Sequence, residues 1–144
     1  INGVARGDLD VIMEIWTANP AQAWVDAESR GQVVALGTTF PDAVEGWFVP
    51  SYMVDGDAAP TPSLKTVEDL PEYADAFTDP EEPSKGRFYN CPAGWQCEIV
   101  NSKKLVAYGL TDSYTNFRPG TGAALAAAVN SAYLRNKPVL FYYW

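Results

Sequence analysis

Five tryptophans stand in 144 residues, a heavy load for a chain of this size. Three of them occupy places that core packing does not obviously demand. Trp16 closes an apolar run, Trp95 lies inside the turn Cys91-Pro-Ala-Gly-Trp-Gln-Cys97, and Trp144 closes the last apolar run. Strand ends and the turns after them are where open α/β sheets hold ligands. An indole face attracts a cation through its quadrupole, by about 2 kcal/mol or more per contact when water is excluded. A methylated ammonium has no N–H to donate, so a cage of indoles suits it better than carboxylates do. Trp16, Trp95 and Trp144 are therefore the candidate cage. Trp47 reads first as a structural residue near a strand end and only second as a cage member. Tyr143 is a further candidate, because alternation along Tyr142-Tyr143 turns one of the two rings toward a cleft. Trp24 sits on an expected amphipathic helix and reads as core or half-exposed.

Other chemistry finds little support. The chain has no histidine, which removes the commonest general base and the commonest metal ligand. Cys91 and Cys97 cannot complete a tetrahedral zinc site by themselves. A local disulfide around Pro92-Ala93-Gly94 is the favoured reading and implies an oxidising compartment; two buried thiols are the alternative. Carboxylate pairs such as Asp8 with Asp10, or Glu14 with Glu98, have no spacing that suggests a glycosidase. No phosphate-cradling loop and no nucleophile elbow occurs. The expectation is a protein that is not an enzyme and uses neither cofactor nor metal. Net charge is −8, with lysines and arginines scattered, which argues against nucleic acid and anionic lipid and does not oppose a cationic ligand. Arg118, ahead of Pro119-Gly120, could meet an anion but reads more simply as a solvated loop residue, as do Glu81 and Glu82.

The elements that must position these residues alternate. Residues 8–16 read as a mostly buried strand after a turn at Arg6-Gly7-Asp8. Pro20 can open a helix capped by Asn19 that runs to about Arg30 and stops at Gly31. Short strands are expected at 32–36 and 46–49, the second stopped by Pro50. Residues 55–63 form a loop, and Thr66 with Asp69 makes a loose capping box for a following helix. A polar loop at 78–86 leads to a strand at 87–90 and into the cysteine turn. Residues 98–104 read as a helix, with Glu98 near its positive end and Lys103 and Lys104 nearer its negative end. After Arg118-Pro119-Gly120 comes the clearest helix, 122–136, alanine-rich and capped by Thr121. Residues 138–144 return as a buried strand. The alternation argues for an α/β layered domain. At 47% hydrophobic the chain can bury one core, and it has no run of about 18 to 20 apolar residues that would span a bilayer. No leader sequence is visible, and both ends read as cuts through a longer protein.

The order of the motifs carries a resemblance. Asn90-Cys-Pro-Ala-Gly-Trp-Gln-Cys-Glu98 resembles the Cys-x5-Cys turn, with Gly-Trp-x-Cys inside it, of periplasmic glycine-betaine-binding proteins from osmoprotectant ABC importers. Lys104-Leu-Val-Ala-Tyr-Gly-Leu110 and Pro119-Gly-Thr-Gly-Ala-Ala-Leu125 fit the same family. Gly7-Asp-Leu-Asp-Val-Ile-Met-Glu-Ile-Trp16 and Lys137-Pro-Val-Leu-Phe-Tyr-Tyr-Trp144 resemble its two tryptophan-bearing strands. Gly46-Trp-Phe-Val-Pro50 resembles the segment where the chain has entered the second lobe.

The resemblance implies a type II periplasmic-binding-protein-like lobe, a layered sheet flanked by helices, with hinge strands at both ends. Residues 1–17 would be a hinge strand and remnant of the first lobe, 18–138 the second lobe, and 139–144 the returning hinge strand. Trp16, Trp95 and Trp144 then map onto the family's three-tryptophan box, and Cys91–Cys97 onto its disulfide. The backbone N–H groups of Gln96 and Cys97 would hold the ligand carboxylate, and an anion at a helix start is sound physics in its own right. Some relatives supply a histidine after the first box tryptophan; this chain has none, and Thr17 or Asn19 is the nearest substitute. The implied protein is periplasmic or extracellular, soluble or lipid-anchored. It would capture glycine betaine or a related quaternary ammonium osmolyte for an ABC membrane subunit. Choline or carnitine binding, or an osmolyte-sensing domain of a signalling protein, is the alternative. Taken alone, the chain is expected to bind weakly and to self-associate through its end strands.

Overall fold

The computed structural model describes residues 1–17 and 20–144. Asn19, named above as helix cap and as a substitute ligand, lies outside the described residues. The chain divides into two units, residues 1–43 and 44–144.

The first unit holds two helices, α1 (Asn2–Ala5) and α2 (Gln22–Ser29). Helix α2 begins two residues later than expected from Pro20, because Ala21 keeps an extended backbone as its N-cap. It stops where expected, with Gly31 at a positive φ of 67°. Neither strand expected in this unit forms: residues 8–16 and 32–36 carry no ladder. Their apolar side chains stay in solvent, with Met13 at 69% and Leu36 at 86% exposed. An apolar run becomes a strand only when a neighbouring strand takes up its backbone N–H and C=O groups in a ladder, and among the described residues these segments find only isolated partners, such as the Thr39 hydroxyl on the Met13 carbonyl.

The second unit is built on four strands: β1 (Gly46–Phe48), β2 (Gly86–Tyr89), β3 (Tyr114–Phe117) and β4 (Leu140–Tyr143). They lie in the order β1-β4-β2-β3. β2 pairs in parallel with both β3 and β4, while β1 runs antiparallel to β4 with Trp47 opposite Tyr142. Helix α3 (Gln96–Ala107) joins β2 to β3, and α4 (Gly122–Leu134) joins β3 to β4. Parallel neighbours need such crossovers. Strand β3 was not anticipated, nor were the short helix α1 and a single 3₁₀ turn at Ser51–Met53. The Tyr-Thr-Asn-Phe sequence of β3 is short and half polar, and it becomes a strand by lying register-locked against β2.

A 3₁₀ helix, Val67–Phe77, replaces the α-helix expected after Thr66. The capping box forms: the Asp69 carboxylate accepts the backbone N–H of Thr66 at 2.9 Å and of Lys65 at 3.0 Å. Pro71 inside the segment cannot donate to an i−4 carbonyl, which disfavours an α-helical continuation. The main core gathers Met53, Leu70, Phe77, Phe88, Leu105 and Leu140. Alternation sends Phe88, Leu140 and Tyr142 into that core and Phe48 toward solvent. Arg87 is buried beside Asp79 at 2.6 Å, with its guanidinium 4.4 Å from the Phe117 ring. Thr115 also donates to the Asp79 carboxylate.

Candidate ligand-binding site

Three parallel strands put three connections at one edge of the sheet. The C-terminal end of β2 opens into the cysteine turn, that of β3 into Arg118-Pro119-Gly120, and that of β4 into Trp144. The first and last bring two indoles together. The rings of Trp95 and Trp144 meet edge to face, centroids 5.4 Å apart and planes 61° apart. Gly122, the first residue of α4, completes the group. A methyl group added at its Cα would stand 3.5 Å from the Trp144 ring and 3.7 Å from the Trp95 ring. Tyr143 stacks on Trp144 with centroids 5.1 Å apart. Trp95 is 46% exposed, an unusual amount of bare indole for a residue held in a disulfide turn. Trp144 is half-buried, resting on Tyr142 at 5.9 Å.

The turn itself is fixed. Cys91 and Cys97 are joined by a disulfide, with Cα atoms 5.8 Å apart, and Gly94 takes a φ of +86° that other residues rarely adopt. Trp95 is the N-cap of α3 and supplies no side-chain cap, so the first N–H groups of that helix, Gln96 and Cys97, are its orphan donors. They stand beside the exposed indole. A site with an indole pair next to unsatisfied helix donors suits a ligand with a soft cation at one end and an anion at the other.

Glu98, in the first turn of α3, is already engaged. Arg118 donates to it at 2.6 Å and Ser102 at 3.0 Å. The Arg118 hydrogen bond is the main reason its carboxyl is held below the usual range, with Ser102 and the Gly94 N–H adding to it against burial. Arg118 is the exposed loop residue expected, and it is in addition an ion-pair partner of Glu98. No sequence signal marked that pair, because the two residues are 20 apart and meet only through the β2-α3-β3 crossover.

The remaining candidates are placed as follows. Trp47 points into the core, its ring 4.3 Å from Phe88 and its N–H donating to Asn101 at 2.8 Å. Trp16 belongs to the first unit, in a segment without strand, and donates to Glu14 at 2.6 Å. Trp24 is half-buried on α2. Among the described residues, no group of three or more His, Cys, Asp and Glu could hold a metal, and no helix is long and apolar enough to cross a membrane.

The chain shares its fold with a solved structure titled glycine betaine, L-proline ABC transporter, glycine/betaine/L-proline-binding protein (ProX) from Borrelia burgdorferi. The match has a TM-score of 0.71 at 23% identity and covers 99% of this chain and 47% of that one, so it speaks for the fold. The whole of residues 1–144 matches the family described as the substrate-binding domain of the ABC-type glycine betaine transport system, and the chain belongs to that family. The family is one of substrate-binding domains and not of enzymes. Among curated relatives, the glycine betaine/proline betaine-binding periplasmic protein of Escherichia coli (strain K12) is 33% identical over 98% of this chain. The glycine betaine-binding periplasmic protein OusX of Dickeya dadantii (strain 3937) is 27% identical over the same share. The chain spans about two fifths of the length of each, 41%.

Proposed function

We propose that this chain is most of one lobe of a two-lobed substrate-binding protein that captures glycine betaine, or a close quaternary ammonium relative, for an ABC importer. The observation that carries the reading is the indole pair Trp95–Trp144 standing beside the open start of α3. The trimethylammonium group lies against the two indoles; Trp16 comes to the cage from the family resemblance, as a contact of the complete protein. The carboxylate accepts from the N–H groups of Gln96 and Cys97. Residues 1–17 serve as hinge segment and remnant of the first lobe, 18–138 as the second lobe, and 139–144 as the returning hinge strand. In that larger protein, residues 8–16 acquire the strand neighbours they lack here. Trp47 supports the site from the core, and Tyr143 backs Trp144. With no histidine in the chain, the first lobe or Thr17 supplies whatever further donor the carboxylate uses. The disulfide and the relatives named as periplasmic support a periplasmic or extracellular setting.

Calorimetric titration of the complete two-lobed protein with glycine betaine, choline and carnitine tests this. Glycine betaine should bind, and choline more weakly, because a hydroxyl is a poorer partner for helix N–H groups than a carboxylate. Binding of choline with no heat from glycine betaine would transfer the site to the choline class. No heat from any of the three would remove the cage.

A further inference from the structure

A chain of side-chain hydrogen bonds runs beneath the cysteine turn. Asn90 and Asn101 are 0% and 1% exposed, unusual burial for amides. The Asn90 carbonyl oxygen accepts the Cys91 backbone N–H at 2.6 Å and the Asn101 amide at 2.9 Å. Its own amide donates to Asn116 at 2.8 Å and to the backbone carbonyl of Glu98 at 3.3 Å. Asn101 accepts the Trp47 indole N–H, and Asn116 passes the chain on to Ser102 at 2.9 Å, which reaches Glu98. One residue therefore ties the entry of the turn, through Cys91, to its exit, through Glu98.

We propose that Asn90 is a positioning residue for the ligand site: its amide fixes the direction in which the backbone leaves β2 and enters the Cys91–Cys97 turn, and so fixes where Trp95 stands against Trp144. The inference rests on the binding role proposed above, but its geometry does not. Burying four polar groups is costly unless all are paired, and a network that is fully paired holds one arrangement. A hydrocarbon at this position would hold the core equally well and leave the Cys91 N–H without its acceptor.

The test uses Asn90→Ala and Asn90→Asp in the complete protein. Asp keeps the acceptor for Cys91 and Asn101; Ala removes it. The ligand-free readouts are the near-ultraviolet circular dichroism band that Trp95→Phe abolishes, and the rate at which dithiothreitol opens Cys91–Cys97, both taken well below the unfolding midpoint. Asn90→Ala should lose the indole band and open its disulfide about tenfold faster or more, the scale of one buried hydrogen bond left unmade. Asn90→Asp, which keeps the acceptor for Cys91 but loses the donations to Asn116 and the Glu98 carbonyl, should keep more of the band and open its disulfide more slowly than Asn90→Ala, although its buried charge lowers the melting temperature. Glycine betaine affinity should follow the indole band. If both variants lower the melting temperature while the band and the opening rate stay at their original values, Asn90 is merely structural and the proposal is overturned. Should Asn90→Ala fail to fold, Asn101→Leu in a Trp47→Phe background, which removes one donor to Asn90, spares the Cys91 contact and leaves no Trp47 indole to lose its acceptor, must weaken the band by a smaller amount; an unchanged band overturns the proposal. A protein that never bound glycine betaine would sink the binding role, while the two ligand-free readouts would still decide this one.

Discussion

An indole takes its role from what its face and edge touch. Trp95 offers a bare face and Trp47 does not, so the two should respond to mutation in opposite ways. Trp95→Ala or Trp144→Ala should each weaken glycine betaine about thirtyfold, the worth of one desolvated cation–π contact of about 2 kcal/mol, with little change in stability for Trp95 and a loss for Trp144, whose ring packs on Tyr142 and Tyr143. Trp47→Phe should leave affinity within a few fold and cost about 1 kcal/mol of stability, because Asn101 loses a buried partner. Titration calorimetry and chemical denaturation separate the two outcomes. The carboxyls of Asp79 and Glu98 are held below their ordinary values chiefly by hydrogen bonds from Arg87 and Arg118. A depressed carboxyl contributes stability that is complete above its unfolded value, near 4, and is lost as pH falls through the folded value. Tyr114 and Tyr142 are pushed the other way, mainly by burial. Their contribution is complete below the unfolded value, near 10, and is lost as pH climbs toward the folded one. Melting temperature should thus fall below about pH 4 and above about pH 10, with a plateau between; a profile that peaks below pH 4 would contradict the ion pairs. Residue type and position marked Trp16, Trp95 and Trp144 alike, and the fold brings the rings of Trp95 and Trp144 together. They did not mark Asn90 or Asn101. Asparagine before a turn is ordinary, and only the tertiary fold turns it inward.

At the scale of elements, Trp95 and Trp144 meet because β2, β3 and β4 run parallel and deliver their C-terminal connections to one edge. Helix α4 and strand β4 were legible as alanine-rich periodicity with a threonine cap and as an apolar run after proline. The Thr121 hydroxyl does accept the Ala124 N–H, at 3.1 Å. Strand β3 was not legible, since a half-polar four-residue segment gains its identity from the neighbour it pairs with. The expected strands at 8–16 and 32–36 failed for the complementary reason: apolar sequence without a partner. Between β2 and α3, the disulfide closes a short loop worth about 2 kcal/mol in the chain-entropy account. Its larger effect should be local. Reduction under native conditions should lower glycine betaine affinity by at least about tenfold while unfolding stays cooperative, since a loosened turn must be reordered on binding. Equal affinity of oxidised and reduced protein would mean that the turn is held by Asn90 and Glu98 alone.

On the scale of the whole molecule, the chain spans 41% of its curated relatives, and its two units each expose apolar surface. Val34, Leu36 and Phe40 in the first unit are all more than 60% exposed. Without the first lobe to exclude water, cation–π contacts fall from about 2 toward about 0.5 kcal/mol each, and the three of the proposed cage together would lose roughly a thousandfold in affinity. The isolated 144-residue chain should therefore bind glycine betaine poorly and self-associate, as read by calorimetry and light scattering; a clean monomer with the affinity of the complete protein would end the two-lobe mechanism. Recognition of a quaternary cation by indole faces is a narrower proposal than that mechanism. It is tested most directly by comparing glycine betaine with 3,3-dimethylbutanoate, which has the same shape and carboxylate but carbon in place of the charged nitrogen. In the complete protein, glycine betaine should bind more tightly by at least about tenfold and by as much as a thousandfold, and Trp95→Ala should shrink that ratio. Equal binding of the two ligands, or tighter binding of the neutral-headed one, would contradict the account.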